Sequence, residues 1–178
     1  MDEQAGWQAP FCEDCGHGMV YRTFTLGDRL YAVGFEKVDV LQDFTHKGGS
    51  ILKFTASASR SFNNLWAVIF DEIDHEALDF KGFRHTPHSG LSGGRVLFKV
   101  ARIIFEHYSA ARAGAYVFSA ATDPLGLRKD DLVDLYSRIL GLTGYPKSRL
   151  FKTLFNGWQA YSNCASGGRE YVVTTDRY

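Results

Sequence analysis

Sulfur and proline are scarce in this sequence, whose 178 residues include 3 Cys, 2 Met and 4 Pro. An odd and small number of cysteines cannot build a disulfide framework, so a reducing, cytoplasmic setting fits best. Net charge is missing too. The 20 Lys and Arg balance 20 Asp and Glu, which predicts no general attraction to nucleic acid or to a membrane surface. No run of about eighteen apolar residues occurs, so no membrane-spanning helix is predicted. The start, Met1-Asp2-Glu3-Gln4, is acidic and lacks the apolar stretch of a secretory leader. Internal repeats and low-complexity linkers are absent as well.

What is present is an ordinary globular composition with one excess. Hydrophobic residues make up 45% and charged residues 22%, which suits a single domain over residues 1–178 with a core of its own. Aromatic residues reach 15%, with 14 Phe and 9 Tyr. As large apolar fillers they are expected inside. Charge is unevenly placed: residues 1–90 hold 8 of the 20 basic side chains but 13 of the 20 acidic ones. The C-terminal half is therefore the more receptive to an anion.

Residues 1–19 read as irregular. Strand-like patterns follow at Met19–Leu26 and Arg29–Val40, with Gly27-Asp28 as a tight hairpin turn. Two more are expected at Ile51–Ser57 and Leu65–Ile73, and the unbroken apolar run Leu65–Phe70 suits a strand covered on both faces. The Gly/Ser loop 89–94 then precedes a helical pattern. Val96, Leu97, Val100, Ile103 and Ile104 fall on one side, with Arg95, Lys99, Arg102 and Glu106 on the other. Ala115–Ala120 reads as a short buried strand. Asp123-Pro124 offers a helix start, and Leu132, Leu135, Tyr136, Ile139 and Leu140 form the next stripe, capped by Gly141 or Gly144. Glu170–Thr175 closes the chain as a strand. This order predicts an α/β (α+β) fold with a central mixed, mostly antiparallel sheet and helices on its faces.

Chemistry is best sought at the glycine loop. A helix start presents N–H groups without helical partners and a partial positive charge, and glycines admit a ligand close to the backbone. The amides of Gly90, Leu91, Ser92, Gly93, Gly94, Arg95 and Val96 are thus candidates for holding a pyrophosphate, with Arg84 and Arg95 adding charge. A surface turn leading into a helix explains the same residues. The spacing is neither a P-loop nor GxGxxG.

The succession of apolar strand, Gly-rich turn, amphipathic helix, short strand and a helix with Leu135-Tyr136-Ser137-Arg138 before Gly144-Tyr145 resembles the GNAT acyltransferase core. It spans about residues 65–145 and is similar also to small GNAT-like proteins of phages and mobile elements. The resemblance implies acetyl-CoA as cofactor, its pyrophosphate at Gly90, Gly93 and Gly94. It implies Tyr136 as the phenol beside the thiolate leaving group, and a general base near the end of the preceding strand, where Asp71, Glu72 and Asp74 lie. The family's Arg/Gln-x-x-Gly-x-Gly/Ala spacing is not reproduced. The acyl acceptor would be a small-molecule or protein amine. The alternative implied by the same likeness is a non-catalytic binding protein that engages a host protein.

A second constellation is Cys12-Glu13-Asp14-Cys15-Gly16-His17. Cys12, Cys15 and His17 could hold zinc and make this a zinc-stabilised interaction module; a redox dithiol or plain reduced thiols stay open. His85 and His88, three apart, could bind a metal or exchange protons. Ser119 has no nucleophile elbow around it, so a hydrolase triad is not expected. If Cys12, Cys15 and His17 form a structural zinc site, protein purified without added metal carries near-stoichiometric zinc. Elemental analysis giving less than about a tenth of an equivalent removes the site.

Overall fold

The computed structural model describes residues 19–38, 64–74, 76, 79–80, 91–122 and 131–177. Strands β1 (Met19–Leu26), β2 (Arg29–Val38) and β3 (Leu65–Asp74) come first, then the two-residue β4 (Asp79–Phe80). Helix α1 (Leu91–Ala111) leads to β5 (Ala115–Ser119). Helices α2 (Leu132–Leu140) and α3 (Arg149–Leu154) precede β6 (Gln159–Ser162) and β7 (Glu170–Thr174). The sheet order is β1-β2-β3-β5-β7-β6, with β4 paired to β3. β3 and β5 are parallel, and the pairs β1/β2, β3/β4, β5/β7 and β6/β7 are antiparallel. The fold is thus mixed α/β, with a mixed sheet and three helices among the described residues.

The chain divides into two compact units. One takes residues 1–36 and 68–111, the other residues 37–67 and 112–178. In the first, Leu26 pairs with Arg29 across a two-residue turn where Gly27 has φ 67°. That left-handed angle explains the glycine, since a side chain there is strained. β2 buries five consecutive residues, Tyr31 to Phe35, so both of its faces are covered. Phe24 stacks on Tyr31 and Tyr31 on Phe70, with centroids 5.1 and 5.9 Å apart. On α1, Val96, Val100 and Ile103 are buried while Arg95, Lys99 and Arg102 are exposed, as the spacing predicts. Arg22 and Glu106 form an ion pair, partly open to water. Such pairs contribute at most about 1 kcal/mol, so burial of the aromatic layer carries this unit.

In the second unit, one sheet face is a cluster of Leu65, Ala67, Ala115, Val117 and Val172, joined by Val38. On the opposite face Phe118 stacks on Tyr171 at 5.2 Å and Tyr116 on Trp158 at 5.9 Å. Phe155 packs on Trp158 at 4.5 Å and on Phe151 at 5.6 Å, which ties α3 into this layer. The starts of β3 and β5 are held by Asn64. Its carbonyl accepts from Gly114 N at 3.0 Å, its Nδ2 donates to the Arg112 carbonyl at 2.9 Å, and its Oδ1 accepts from Trp66 Nε1 at 2.9 Å. Thr175 Oγ1 donates to the carbonyls of Ala113 and Gly114 at 2.8 and 3.1 Å, adding β7 to the same knot.

Several boundaries move. α1 begins at Leu91, so residues 91–94 of the expected Gly/Ser loop form its first turn. α2 starts at Leu132 with Asp131 as N-cap, whose carboxylate accepts from Val133 N at 2.9 Å. The expected start at Asp123-Pro124 and the expected strand Ile51–Ser57 lie outside the described residues. The segment to Tyr161, which has no clear period, holds α3 and the start of β6.

The end of α2 makes a testable contrast. Gly141 and Gly144 both have left-handed φ, 73° and 89°. A Cβ on Gly141 would sit 2.5 Å from Lys147 N, while one on Gly144 meets nothing within 4 Å. Gly144→Ala should therefore cost about 1 kcal/mol of backbone strain and Gly141→Ala at least twice that. Denaturant melts check this, and equal losses would show that the close approach to Lys147 is unimportant.

Candidate functional site

In the first unit the chemistry-bearing groups lie on α1, β2 and β3. α1 is 21 residues long and has no acidic side chain in its first turn. Helix geometry commits the amides of Arg95 and Val96 to carbonyls one turn back. The N–H groups without helical partners are those of the residues before them. Gly94 is exposed, and a Cβ built there meets nothing within 4 Å. Arg95 is exposed beside it, whereas the Val96 side chain is core. The N–H groups of this turn can donate to an anion, with the helix dipole and Arg95 of favourable sign. Arg84 and Gly90 lie outside the described residues, as do the side chains of Leu91 and Ser92.

Asp71 and Glu72 are on β3, near its end. Neighbours on a strand point to opposite faces. Glu72 is buried and has Arg29 Nη1 at 3.8 Å, while the Asp71 carboxylate accepts from the Glu72 amide at 2.7 Å. Glu72 is thus a carboxylate buried beside a guanidinium. The Asp74 side chain lies outside the description.

In the second unit Tyr136 stands on the sheet-facing side of α2. Its ring meets Phe118 and Tyr171 edge-on, both at 5.7 Å. Tyr171 is fully buried and its hydroxyl donates to the Val133 carbonyl at 3.1 Å, with Ser137 Oγ at 3.4 Å. Burial and a bond to Cys164 push the Tyr171 phenol well above its ordinary value. Arg169 closes this corner. It grips both carboxylate oxygens of Asp131 at 2.7 and 3.0 Å, and also donates to the carbonyls of Ala120 and Ala121 at 2.8 and 2.7 Å. With its donors so committed, Arg169 orders the start of α2 and is not available to a ligand.

Cys12, Cys15 and His17 fall outside the described residues, as do His85 and His88. Among the described residues no group of three or more His, Cys, Asp or Glu could hold a metal ion. No described helix is long and apolar enough to cross a membrane. No family model, curated protein or solved structure matches the chain.

One titratable group escapes the sequence reading. His107 on α1 is fully buried and stacks on Phe35 with centroids 3.9 Å apart and rings 3° from parallel. It lies four residues after Ile103 and seven after Val100, so the apolar stripe extended by one turn points to it. Burial pushes its imidazole down to about 3. The folded state then refuses a proton that the unfolded chain accepts near pH 6.5. Stability is complete above that value and is lost as pH falls from about 6.5 toward 3, the loss reaching about 2 kcal/mol at pH 5. His107→Phe should flatten this part of the stability–pH curve. Parallel curves for the two proteins between pH 7 and 5 would show that His107 is not the group responsible.

Proposed function

We propose that this chain is a GNAT-like protein that binds acetyl-CoA and transfers its acyl group to an amine. The observation that carries the reading is the first turn of α1: open at Gly94, free of acidic side chains, flanked by Arg95 and placed between two parallel strands in chain order. The succession β3, α1, β5, α2, with Leu135-Tyr136 in the last helix, supports the same reading.

Bound CoA would supply a thioester-activated acyl carbon. The backbone N–H groups at the α1 start would hold its pyrophosphate, with Gly94 leaving the approach open and Arg95 supplying positive charge. Asp71 or Glu72 would serve as base for the acceptor amine, and the resemblance gives Tyr136 the role of proton donor to the leaving thiolate.

Calorimetric titration with acetyl-CoA tests the reading directly. Wild-type protein should bind, and Gly94→Val should bind at least about tenfold more weakly, because the new side chain fills the approach to the amides. Its melting temperature should not fall, since a Cβ there meets nothing within 4 Å. Tyr136→Phe should keep the affinity and lose about a hundredfold in turnover, the size of a general-acid contribution. Wild-type protein that shows no affinity at about millimolar acetyl-CoA ends the acyltransferase reading and leaves the non-catalytic binding protein.

A further inference from the structure

The chain entering β7 grips α2 at three places. Arg169 holds both carboxylate oxygens of Asp131, the N-cap of α2, at 2.7 and 3.0 Å. Two residues on, the Tyr171 hydroxyl donates to the Val133 carbonyl at 3.1 Å and lies 3.4 Å from Ser137 Oγ. It is bonded to Cys164 as well. The Tyr171 ring pairs across the sheet with Phe118 and stacks on it at 5.2 Å, 10° from parallel. Tyr136 meets both rings in T-shaped contacts at 5.7 Å.

Packing alone does not call for these hydroxyls. Tyr171 and Ser137 are 0% and 2% exposed, and a Phe over an Ala would fill nearly the same space. Replacing both members of a buried hydrogen-bonded pair by apolar groups is close to neutral for stability. What apolar packing lacks is direction. A hydrogen bond weakens steeply when bent, whereas one ring can slide over another at little cost. Val133 and Ser137 lie three residues before Tyr136 and one after it, so bonds at both fix the rotation of α2 at the turn that carries Tyr136. We propose that Tyr171 is the positioning residue for Tyr136. Its hydroxyl sets how α2 is turned about its axis, and its ring sets the tilt of the Tyr136 phenol. The consequence for turnover rests on the acyltransferase reading, in which Tyr136 is the proton donor; the geometry does not.

Two readouts on the full chain test this, one of them independent of activity. Tyr171→Phe keeps the ring and loses the hydroxyl. Ser137→Ala/Tyr171→Phe removes both hydroxyls, leaves neither orphaned and should melt close to wild type, so a folded variant is at hand if the single one misfolds. In protein carrying ¹³C in its tyrosine rings, the Tyr136 signal is the one missing from Tyr136→Phe. It should move in both variants; with a ring kept at position 171, the movement reports a turned α2. Turnover is followed as thiol release from acetyl-CoA, with spermine and a lysine-rich peptide as acceptors. Tyr171→Phe should lower kcat by about tenfold or more and leave KM for acetyl-CoA unchanged, as a misplaced proton donor does. In the Tyr136→Phe background the same change should lower kcat no further. An unmoved Tyr136 signal overturns the proposal, and so does an equal fall in kcat with and without the Tyr136 hydroxyl. Wild-type protein without affinity for acetyl-CoA ends the acyltransferase reading alone, since the Tyr136 signal still decides whether Tyr171 positions it.

Discussion

Asn64 joins the starts of two parallel strands with two hydrogen bonds, to Gly114 and Arg112, while a third, from Trp66 two residues along, fixes its amide. It does so with φ 52°, and Arg112, whose carbonyl it holds, has φ 53°. Left-handed angles are tolerated by asparagine better than by most residues, because its short amide can bond locally. Arg112 has no such advantage, so its conformation is sustained by the contacts around it. Strands that start side by side and run the same way cannot be joined by a tight turn. The intervening chain, which holds the 21-residue helix α1, must therefore return to the end where β3 began.

Each unit adds a series of ring contacts to its aliphatic packing. Phe24, Tyr31 and Phe70 form one series, and Tyr171, Phe118 and Tyr136 form another. Rings at these separations add about 0.5–1.5 kcal/mol per pair beyond the area they bury. They also restrict what a hydroxyl can do. Tyr171 donates to a helix carbonyl, and the ring of Tyr136 is held edge-on, so whatever chemistry the latter performs starts from a fixed ring.

Periodicity made the α1 stripe and the β1–β2 hairpin legible, because spacing alone separates Val96, Val100 and Ile103 from Arg95, Lys99 and Arg102. It failed where polar groups are buried. Ser137 is buried on α2 among residues expected to be apolar, and its reason is Tyr171, 34 positions away. The burial of Glu72 has its reason in Arg29 on β2, 43 positions earlier, which no local spacing reveals. The cap of α2 was missed because Asp131 draws its importance from Arg169, which no local pattern reveals. Of the candidate site, Gly93, Gly94 and Tyr136 were legible as a loop and a stripe. That the glycines belong to a helical turn depends on where the helix starts, and propensity fixes such boundaries poorly.

The placement of tryptophan has an optical consequence. Trp66 and Trp158 are both buried, and both belong to the unit built from residues 37–67 and 112–178. Trp7 lies outside the described residues. Among the described residues, the unit holding β1 and α1 has phenylalanine and tyrosine but no indole. With Trp7 replaced by Phe, emission excited at the red edge of the indole band comes from Trp66 and Trp158 alone, and follows solvent entry into the unit that holds them, with no label attached.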